Sequence, residues 1–207
     1  NSGMVVEGTL RWQVTEDCPP DLLIALALRD LIGLGGGGGS ALPRVSPAVV
    51  PVLPGRLRAS ALTTRPLLEQ QWLALFEAAA DRQRHPPASL FQPPHFSALD
   101  RAIELQDLVI AHYGEAVRWA AERRTEYAST CLECPARRSA DIVEVVHGRE
   151  HDLRRQAGSF RLDLAVLPLA EKGAWIVGPN AVVVSASLRD DSTAFRDWFR
   201  TLVAALV

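Results

Sequence analysis

The sequence predicts an α+β fold, in which an antiparallel β-meander of three or four strands packs with a long central helix and a C-terminal amphipathic helix. Two observations carry this prediction. Alternating apolar and polar residues, separated by turn residues, mark three short strands after residue 158. Apolar residues at intervals of three and four mark helices on both sides of these strands.

The chain begins with a strand and a helix. Residues 5–14 alternate between apolar and polar side chains, which predicts a strand that joins the meander as its fourth member. A helix follows from the proline pair at 19–20 to Gly33, because proline fits the first turn of a helix and glycine commonly follows the last. The middle of this helix is apolar on all sides, and we therefore expect it to be buried on more than one face.

A glycine- and proline-rich stretch follows this helix. The glycine run at 35–39, which Ser40 follows, is either an engineered bridge or a natural low-complexity loop. Four prolines within 42–54 favour extended backbone, because proline fixes φ and lacks an N–H donor. The sequence thus predicts a cloning scar at 1–3, a strand-helix segment at 4–34, a linker at 35–64 and a main domain at 65–207.

Two helices are predicted before the C-terminal strands. Apolar residues at helical spacing indicate a helix over 66–83. A longer helix runs from a cap at Ser97 to about residue 128, and its length makes it the central scaffold of the domain. Its predicted apolar stripe consists of Leu99, Ile103, Ile110, Tyr113, Val117 and Ala120.

The C-terminal part of the chain has the clearest pattern. Strands are predicted over 160–166, 174–177 and 181–187, with turns between them. Asp191 or Ser192 caps the final helix, in which apolar residues recur at intervals of three and four, so that one face packs on the sheet.

Composition limits the classes of function. The 207 residues include 22 basic and 24 acidic side chains, and a net charge of −2 gives no general attraction to nucleic acid. An odd number of cysteines, three in all, argues against a secreted disulfide framework. We find neither a membrane-spanning apolar stretch nor a signal-peptide pattern. The sequence therefore predicts a cytoplasmic protein that binds neither membrane nor nucleic acid.

The candidate site is a set of two cysteines and two histidines. Two residues separate Cys131 from Cys134, and three separate His147 from His151. Two thiolates and two imidazoles at such spacing form the donor set of a tetrahedral structural zinc site. The sequence therefore predicts a structural zinc ion bound by all four side chains. The alternative is that they are unrelated surface or core residues.

This spacing resembles that of the C2H2 zinc finger and departs from it at two positions. Arg138 stands where that family has an aromatic residue, and Glu144 replaces the leucine before the histidines. The resemblance therefore implies a zinc clip within a larger domain rather than a finger that reads DNA. We expect 139–156 to begin as a strand or irregular segment, because four of the five residues 142–146 are β-branched, and to continue as a short helix that carries His151. The alternative is a helix over the whole segment, with Ser139 as its cap.

The same histidines allow a second interpretation. Residues 147–151 resemble the H-x-x-E-H motif of inverzincin metallopeptidases. That resemblance implies that His147 and His151 bind zinc and that Glu150 polarises the attacking water. Glu171 is the downstream carboxylate that would complete the coordination.

These features together predict a non-enzymatic protein-binding or adaptor domain that a structural zinc ion stabilises. The protein partner would bind to the proline-rich segment or to an arginine-rich face. The alternatives are a metal-dependent hydrolase with Glu150 as its catalytic residue, and a metal-free interaction subunit of a larger assembly. The arginines of that face are Arg118, Arg123, Arg124, Arg137, Arg138, Arg154 and Arg155.

Overall fold

A computed structural model describes residues 3–7, 11–35, 42–51, 55–81 and 90–207, with the side chains of 55–63 left out. Strands and helices both occur in these ranges, which confirms the α+β class. None of the described helices is long and apolar enough to cross a membrane. The strands are β1 (Met4–Glu7), β2 (Trp12–Asp17), β3 (Phe160–Leu167), β4 (Ala174–Gly178) and β5 (Ala181–Ser185). The helices are α1 (Pro20–Ile32), α2 (Gly55–Ala80), α3 (Ile103–Glu133), α4 (Pro135–Leu153), α5 (Ala186–Asp190) and α6 (Ser192–Leu206).

The five strands form one mixed sheet in the order β1-β2-β3-β5-β4. β2 and β3 are parallel, as are β3 and β5, whereas β1 and β4 each pair antiparallel with their one neighbour. The predicted antiparallel meander is therefore corrected, because β5 and not β4 lies beside β3. A parallel pair needs a long crossover connection, and the chain between β2 and β3 supplies one.

The predicted strand at 5–14 is also corrected. It consists of two strands, β1 and β2, which pair antiparallel with Val6 opposite Val14. Residues 8–10, which connect them, lie outside the described residues. The apolar and polar alternation was continuous across both strands because both contribute residues to the same face of the sheet.

The chain divides into two compact units. The first, here called the sheet unit, comprises 1–18, 125–167 and 172–207. The second, called the helical unit, comprises 19–124 and 168–171. The predicted glycine run lies outside the described residues from position 36 to position 40.

The core of the sheet unit forms where α4 and α6 cover one face of the sheet. Burial of each large apolar side chain stabilises the fold by about 1.5–3 kcal/mol, so this layer contributes substantially to the stability of the sheet unit. α6 confirms its prediction, since the Asp191 carboxylate accepts the N–H of Ala194 and thereby caps the helix. Core residues from the sheet are Trp12, Val14, Leu162, Leu164, Val182 and Val184, and those from the helices are Ile142, Val145, Val146, Phe195, Phe199 and Val203.

α4 is one continuous helix, so the predicted strand or irregular start of 139–156 is wrong. Ile142, Val145 and Val146 lie at helical spacing and are all buried in the core. Their burial against the sheet outweighs the β-propensity of branched side chains, which is a weak preference. Pro135 occupies the first helical turn, where its missing N–H has no consequence.

The helical unit is organised around α1, which is buried along nearly its whole length, as predicted. Arg29 contacts Asp30 at 2.7 Å and donates to the carbonyls of Leu42 and Pro43 at 2.9 and 2.6 Å. The other oxygen of Asp30 accepts the N–H of Val45 at 2.9 Å. This ion pair therefore ties the segment 42–45 to α1.

α2 and α3 differ from their predictions in position. α2 begins at Gly55 rather than at 66 and includes part of the predicted linker. α3 runs from Ile103 to Glu133, later than predicted at both ends. Its buried side chains include Leu105 and Val109, whereas Ile103 and Ile110 of the predicted stripe are exposed. Ala120 of the predicted stripe is buried, and the buried Val109 and Ala116 each lie one position before a predicted residue, which corresponds to a rotation of about 100° around the helix.

Candidate functional site

The structure places the four predicted zinc ligands in two separate pairs. Cys131 lies in the last turn of α3 and Cys134 directly precedes α4, and both are partly buried. His147 and His151 lie in the second half of α4 and are exposed. With a rise of 1.5 Å per residue, the 13 positions from Cys134 to His147 span about 20 Å along the helix.

One zinc ion bonds its ligands at about 2.0–2.3 Å and cannot contact both pairs while α4 is intact. The described residues contain no group of three or more His, Cys, Asp or Glu side chains that could hold a metal ion. The zinc ion stays a prediction, and binding by all four residues requires a different conformation of α4.

The H-x-x-E-H residues do lie on a helix, with the two histidines one turn apart. Glu150, however, accepts the backbone N–H of Ala157 at 2.8 Å. This hydrogen bond anchors the loop after α4 and engages the carboxylate that a hydrolase would direct at water. Glu171, the predicted third ligand, belongs to the helical unit rather than to the sheet unit that holds the histidines.

Four charged side chains are buried together in the sheet unit, and we call them the buried ion cluster. They are Glu16 of β2, Arg138 and Asp141 of α4, and Arg189 of α5, and none exposes more than 1% of its surface. Arg138 donates to one oxygen of Glu16 at 2.5 and 3.1 Å, and Arg189 donates to the other at 3.0 Å. Arg189 also contacts Asp141 at 3.0 Å and the carbonyl of Arg138 at 2.7 Å.

Three further residues complete the cluster at its rim. Asp190 accepts from Arg138 at 3.0 Å. Arg196 donates to Asp141 at 2.6 Å, and the Ser192 hydroxyl donates to the same oxygen. Each buried charge thus has an opposite charge and hydrogen bonds, which is the condition under which ions are tolerated inside a protein. The cluster connects β2, α4, α5 and α6.

In this cluster, the effect of pairing on the pKa of a charged group outweighs the effect of burial. Burial by itself would raise the pKa of Asp141, but hydrogen bonds from Ser192, Arg196 and Arg189 hold the pKa of this carboxyl below its ordinary value. Burial likewise opposes the charge of Arg138, and the Glu16 carboxylate overcomes it, so the pKa of Arg138 is raised. Both groups are held in their charged forms near neutral pH, which suits a structural role rather than general acid–base catalysis.

Tyr127 lies next to Arg138, and the central carbon of the Arg138 guanidinium is 5.7 Å from the centre of the tyrosine ring. Burial and the nearby negative charge of Glu16 both raise the pKa of Tyr127. The buried hydroxyl of Tyr127 has no hydrogen-bond partner in the described part of the chain.

The free edge of β4 carries an exposed apolar side chain. The strand reads Ala-Trp-Ile-Val-Gly and contains no charged residue. Ile176, at its centre, exposes 77% of its surface. Among the described strands β4 pairs only with β5, so one side of its backbone lacks a strand partner.

The hydrogen-bond pattern shows which backbone groups face this edge. The N–H of Ser185 donates to the Gly173 carbonyl at 2.9 Å. Hydrogen-bonded and non-hydrogen-bonded pairs alternate in an antiparallel ladder, so Trp175 and Val183 form the next hydrogen-bonded pair. The N–H and carbonyl of Ile176 consequently point away from β5. A register shift between Ile176 and Gly178 ends the regular part of the strand.

Comparisons with protein-family models, with curated proteins and with solved structures found no significant match. The chemistry of its own residues is therefore the basis for assigning a function.

Sequence reasoning missed both the buried ion cluster and the β4 edge. The burial of Glu16 was predictable, because Glu16 follows Trp12 and Val14 at the same two-residue interval and therefore lies on the same inward face of the strand. A carboxylate on a buried face demands a buried cation. The sequence also indicated that Ile176 lies in an uncharged strand. Only the observed strand order, however, identifies that strand as an edge of the sheet.

Proposed function

We propose that this chain is a non-enzymatic protein-binding domain, and that its free β4 edge binds the same edge of a second copy. The exposed, uncharged strand centred on Ile176 is the observation that carries the proposal. An edge strand presents unpaired N–H and C=O groups that another strand satisfies, and this mode of binding recurs among protein–protein interactions.

The edge lacks two of the features that block strand pairing. Proteins protect exposed edges with charged side chains, proline or bulges. β4 has a bulge after Ile176 but no charge and no proline. By contrast β1, at the opposite edge, carries Glu7, whose carboxylate accepts a hydrogen bond from Gln13 at 3.2 Å. The two edges therefore differ in how well they are protected.

A second copy fits the β4 edge because the strand is compatible with itself. In an antiparallel pair centred on Ile176, this residue faces Ile176 of the second copy, and their outward N–H and C=O groups bond reciprocally. Trp175 then faces Val177, so no like charges lie opposite each other. The interface obeys two-fold symmetry, the commonest symmetry of protein dimers.

The size of the edge sets the expected strength. Five residues, interrupted by a bulge, bury less area than a standard protein interface. We therefore expect a weak, reversible dimer with a dissociation constant of about 10–100 μM.

The polar groups of the sheet unit support a binding rather than a catalytic role. The buried ion cluster is neutralised by pairing, and Glu150 is hydrogen-bonded to the loop after α4. The proposal also keeps the predicted cytoplasmic location, where Cys131 and Cys134 would remain reduced.

The test is sedimentation velocity of the whole chain over a range of concentrations that spans about 5–500 μM. We expect the average mass to rise towards that of a dimer. Ile176→Lys places a like charge opposite itself and should weaken association at least about tenfold. Val5→Lys is the matched control, because it adds the same charge at a half-exposed position of the opposite edge strand, β1.

Two results would overturn the proposal. One is a monomer at every concentration. The other is a dimer that Ile176→Lys and Val5→Lys weaken equally, or that neither of them changes.

A further inference from the structure

A cavity of about 440 Å³ lies between α4 and α6 of the sheet unit. Small organic ligands bind in clefts of about 300–1,000 Å³, so this volume suits one small molecule. The residues that line the cavity belong to α4 and α6, and none belongs to β4. A ligand here would therefore bind independently of the proposed dimer.

Small residues leave this space open. Gly148 lies within α4 and Ala204 within α6, and both line the cavity. Glycine destabilises the interior of a helix relative to alanine. A β-carbon at Gly148 would meet no atom within 4 Å, so close packing does not require glycine at this position. Because Gly148 lines the cavity, a longer side chain there would occupy part of it.

Arg149 differs from the other two arginines that line the cavity. Its Nε is buried and has no hydrogen-bond partner among the described residues. By contrast, Arg196 and Arg200 donate to carboxylates of the chain at 2.6 and 2.7 Å. A buried donor without an acceptor is unusual. A carboxylate is the acceptor that fits a guanidinium best, because it accepts two parallel hydrogen bonds from it.

The charges of the lining favour a ligand with a single negative charge. Arg149, Arg196 and Arg200 provide three positive charges, and Glu144 and Asp152 provide two negative ones. The balance of one positive charge attracts a monoanion. The two acidic side chains repel a dianion such as a phosphate more strongly than they repel a carboxylate.

We propose that this cavity binds a small organic monocarboxylate. Its carboxylate accepts two hydrogen bonds from the Arg149 guanidinium. Its apolar group lies in the space beside Gly148, where Val145 and Ala204 are the apolar side chains of the lining. The ligand thus satisfies the unbonded donor and fills the space that the small residues leave.

The test is a titration of the isotope-labelled whole chain with sodium benzoate, followed by NMR at constant pH and ionic strength. We expect saturable shifts of the Gly148 and Ala204 amides and of the Arg149 Nε–H. The dissociation constant should be on the order of 1–10 mM for so small a ligand. Benzamide, which has nearly the same shape without the charge, should bind at least about tenfold more weakly.

Two pairs of variants test the contacts. Arg149→Met should weaken benzoate binding at least about tenfold, whereas Arg155→Met removes the same charge from an exposed position outside the cavity and should not. Gly148→Leu should also weaken binding, because leucine fills the cavity. Gly114→Leu is its control, since Gly114 lies within α3 and a β-carbon there likewise meets no atom within 4 Å. Leucine favours a helix more than glycine does, so both glycine variants should fold.

The wild-type titration decides the proposal by itself. Shifts that are absent from Gly148, Ala204 and Arg149 at about 50 mM benzoate, or that do not saturate, would overturn it. Equal binding of benzamide would overturn the role of the charge. Tighter binding of inorganic phosphate at the same residues would overturn the ligand class. Equal weakening by Arg149→Met and Arg155→Met would indicate a general effect of charge and would contradict the site.

Discussion

The sheet unit has charges where a protein interior is usually apolar and an isoleucine where its surface is usually polar. Glu16, Arg138, Asp141 and Arg189 are almost wholly buried, whereas Ile176 exposes 77% of its surface. Each buried charge has partners within the chain, but the outward backbone of Ile176 has no strand partner in the described part of the sheet. The buried charges are paired within one chain, whereas one side of the β4 backbone has no strand partner among the described residues. Changes to the cluster should therefore affect folding, and changes at the edge should affect binding.

The largest effect should follow from Arg189→Met, which removes the cation between Glu16 and Asp141. Loss of one partner leaves buried carboxylates without enough positive charge, and we expect the free energy of unfolding to fall by about 3–5 kcal/mol. Urea denaturation measures this change. Arg200→Met is the control, because Arg200 pairs with Asp197 at the surface and should contribute less than about 1 kcal/mol. Equal losses in both variants would show that the cluster is not structural.

Acid should weaken the cluster in a defined direction. The pKa of Asp141 is lower in the folded chain than the unfolded value of about 3.9, so its contribution to stability is present above that pH and is lost as the pH falls through the folded value. We expect the melting temperature of the wild type to fall below about pH 4. Asp141→Asn should be less stable at neutral pH and should lose part of this acid dependence. The same slope in variant and wild type would contradict the assignment.

A small effect on folding is expected from Ile176→Lys. Ile176 is exposed, so its replacement should change the free energy of unfolding of the monomer by no more than about 0.5 kcal/mol. Urea denaturation at low protein concentration measures this value. A loss of stability comparable to that of Arg189→Met would mean that Ile176 is part of the folded core. It would contradict the distinction between a cluster that stabilises the fold and an edge that binds.

The smallest effect on stability should come from a substitution near the C-terminal end of α4. His151 is exposed, and we expect His151→Ala to change the free energy of unfolding by less than about 0.5 kcal/mol. Elemental analysis of the purified chain, combined with its melting temperature, measures the outcome. The zinc prediction requires the opposite result: about one zinc per chain, released in the variant together with a clear loss of stability.

Local signals in the sequence predicted some of the individual elements well. The proline pair and Gly33 define α1, and the cap and apolar face of α6 define that helix, because these features act within a few residues. The three C-terminal strands were also located, since alternation is a local property. Their order was not, because the pairing of β3 with β5 depends on where the chain returns to the sheet.

The candidate site shows the same limit. The spacing of the cysteines and histidines indicated one metal site only on the assumption that the chain folds back between them. α4 is straight helix there, because Ile142, Val145 and Val146 are buried against the sheet. Glu16 was predictable as an inward-facing residue, whereas its partners Arg138 and Arg189 are distant in the sequence and carry no local signal.

Amide hydrogen exchange of Ile176 tests the central claim most directly. Its N–H faces the free edge of β4, whereas that of Trp175 lies in the hydrogen-bonded pair with Val183. If two copies pair along β4, exchange at Ile176 should slow as the protein concentration rises, while Trp175 stays protected throughout. An Ile176 amide that exchanges equally fast in dilute and concentrated protein would contradict the account.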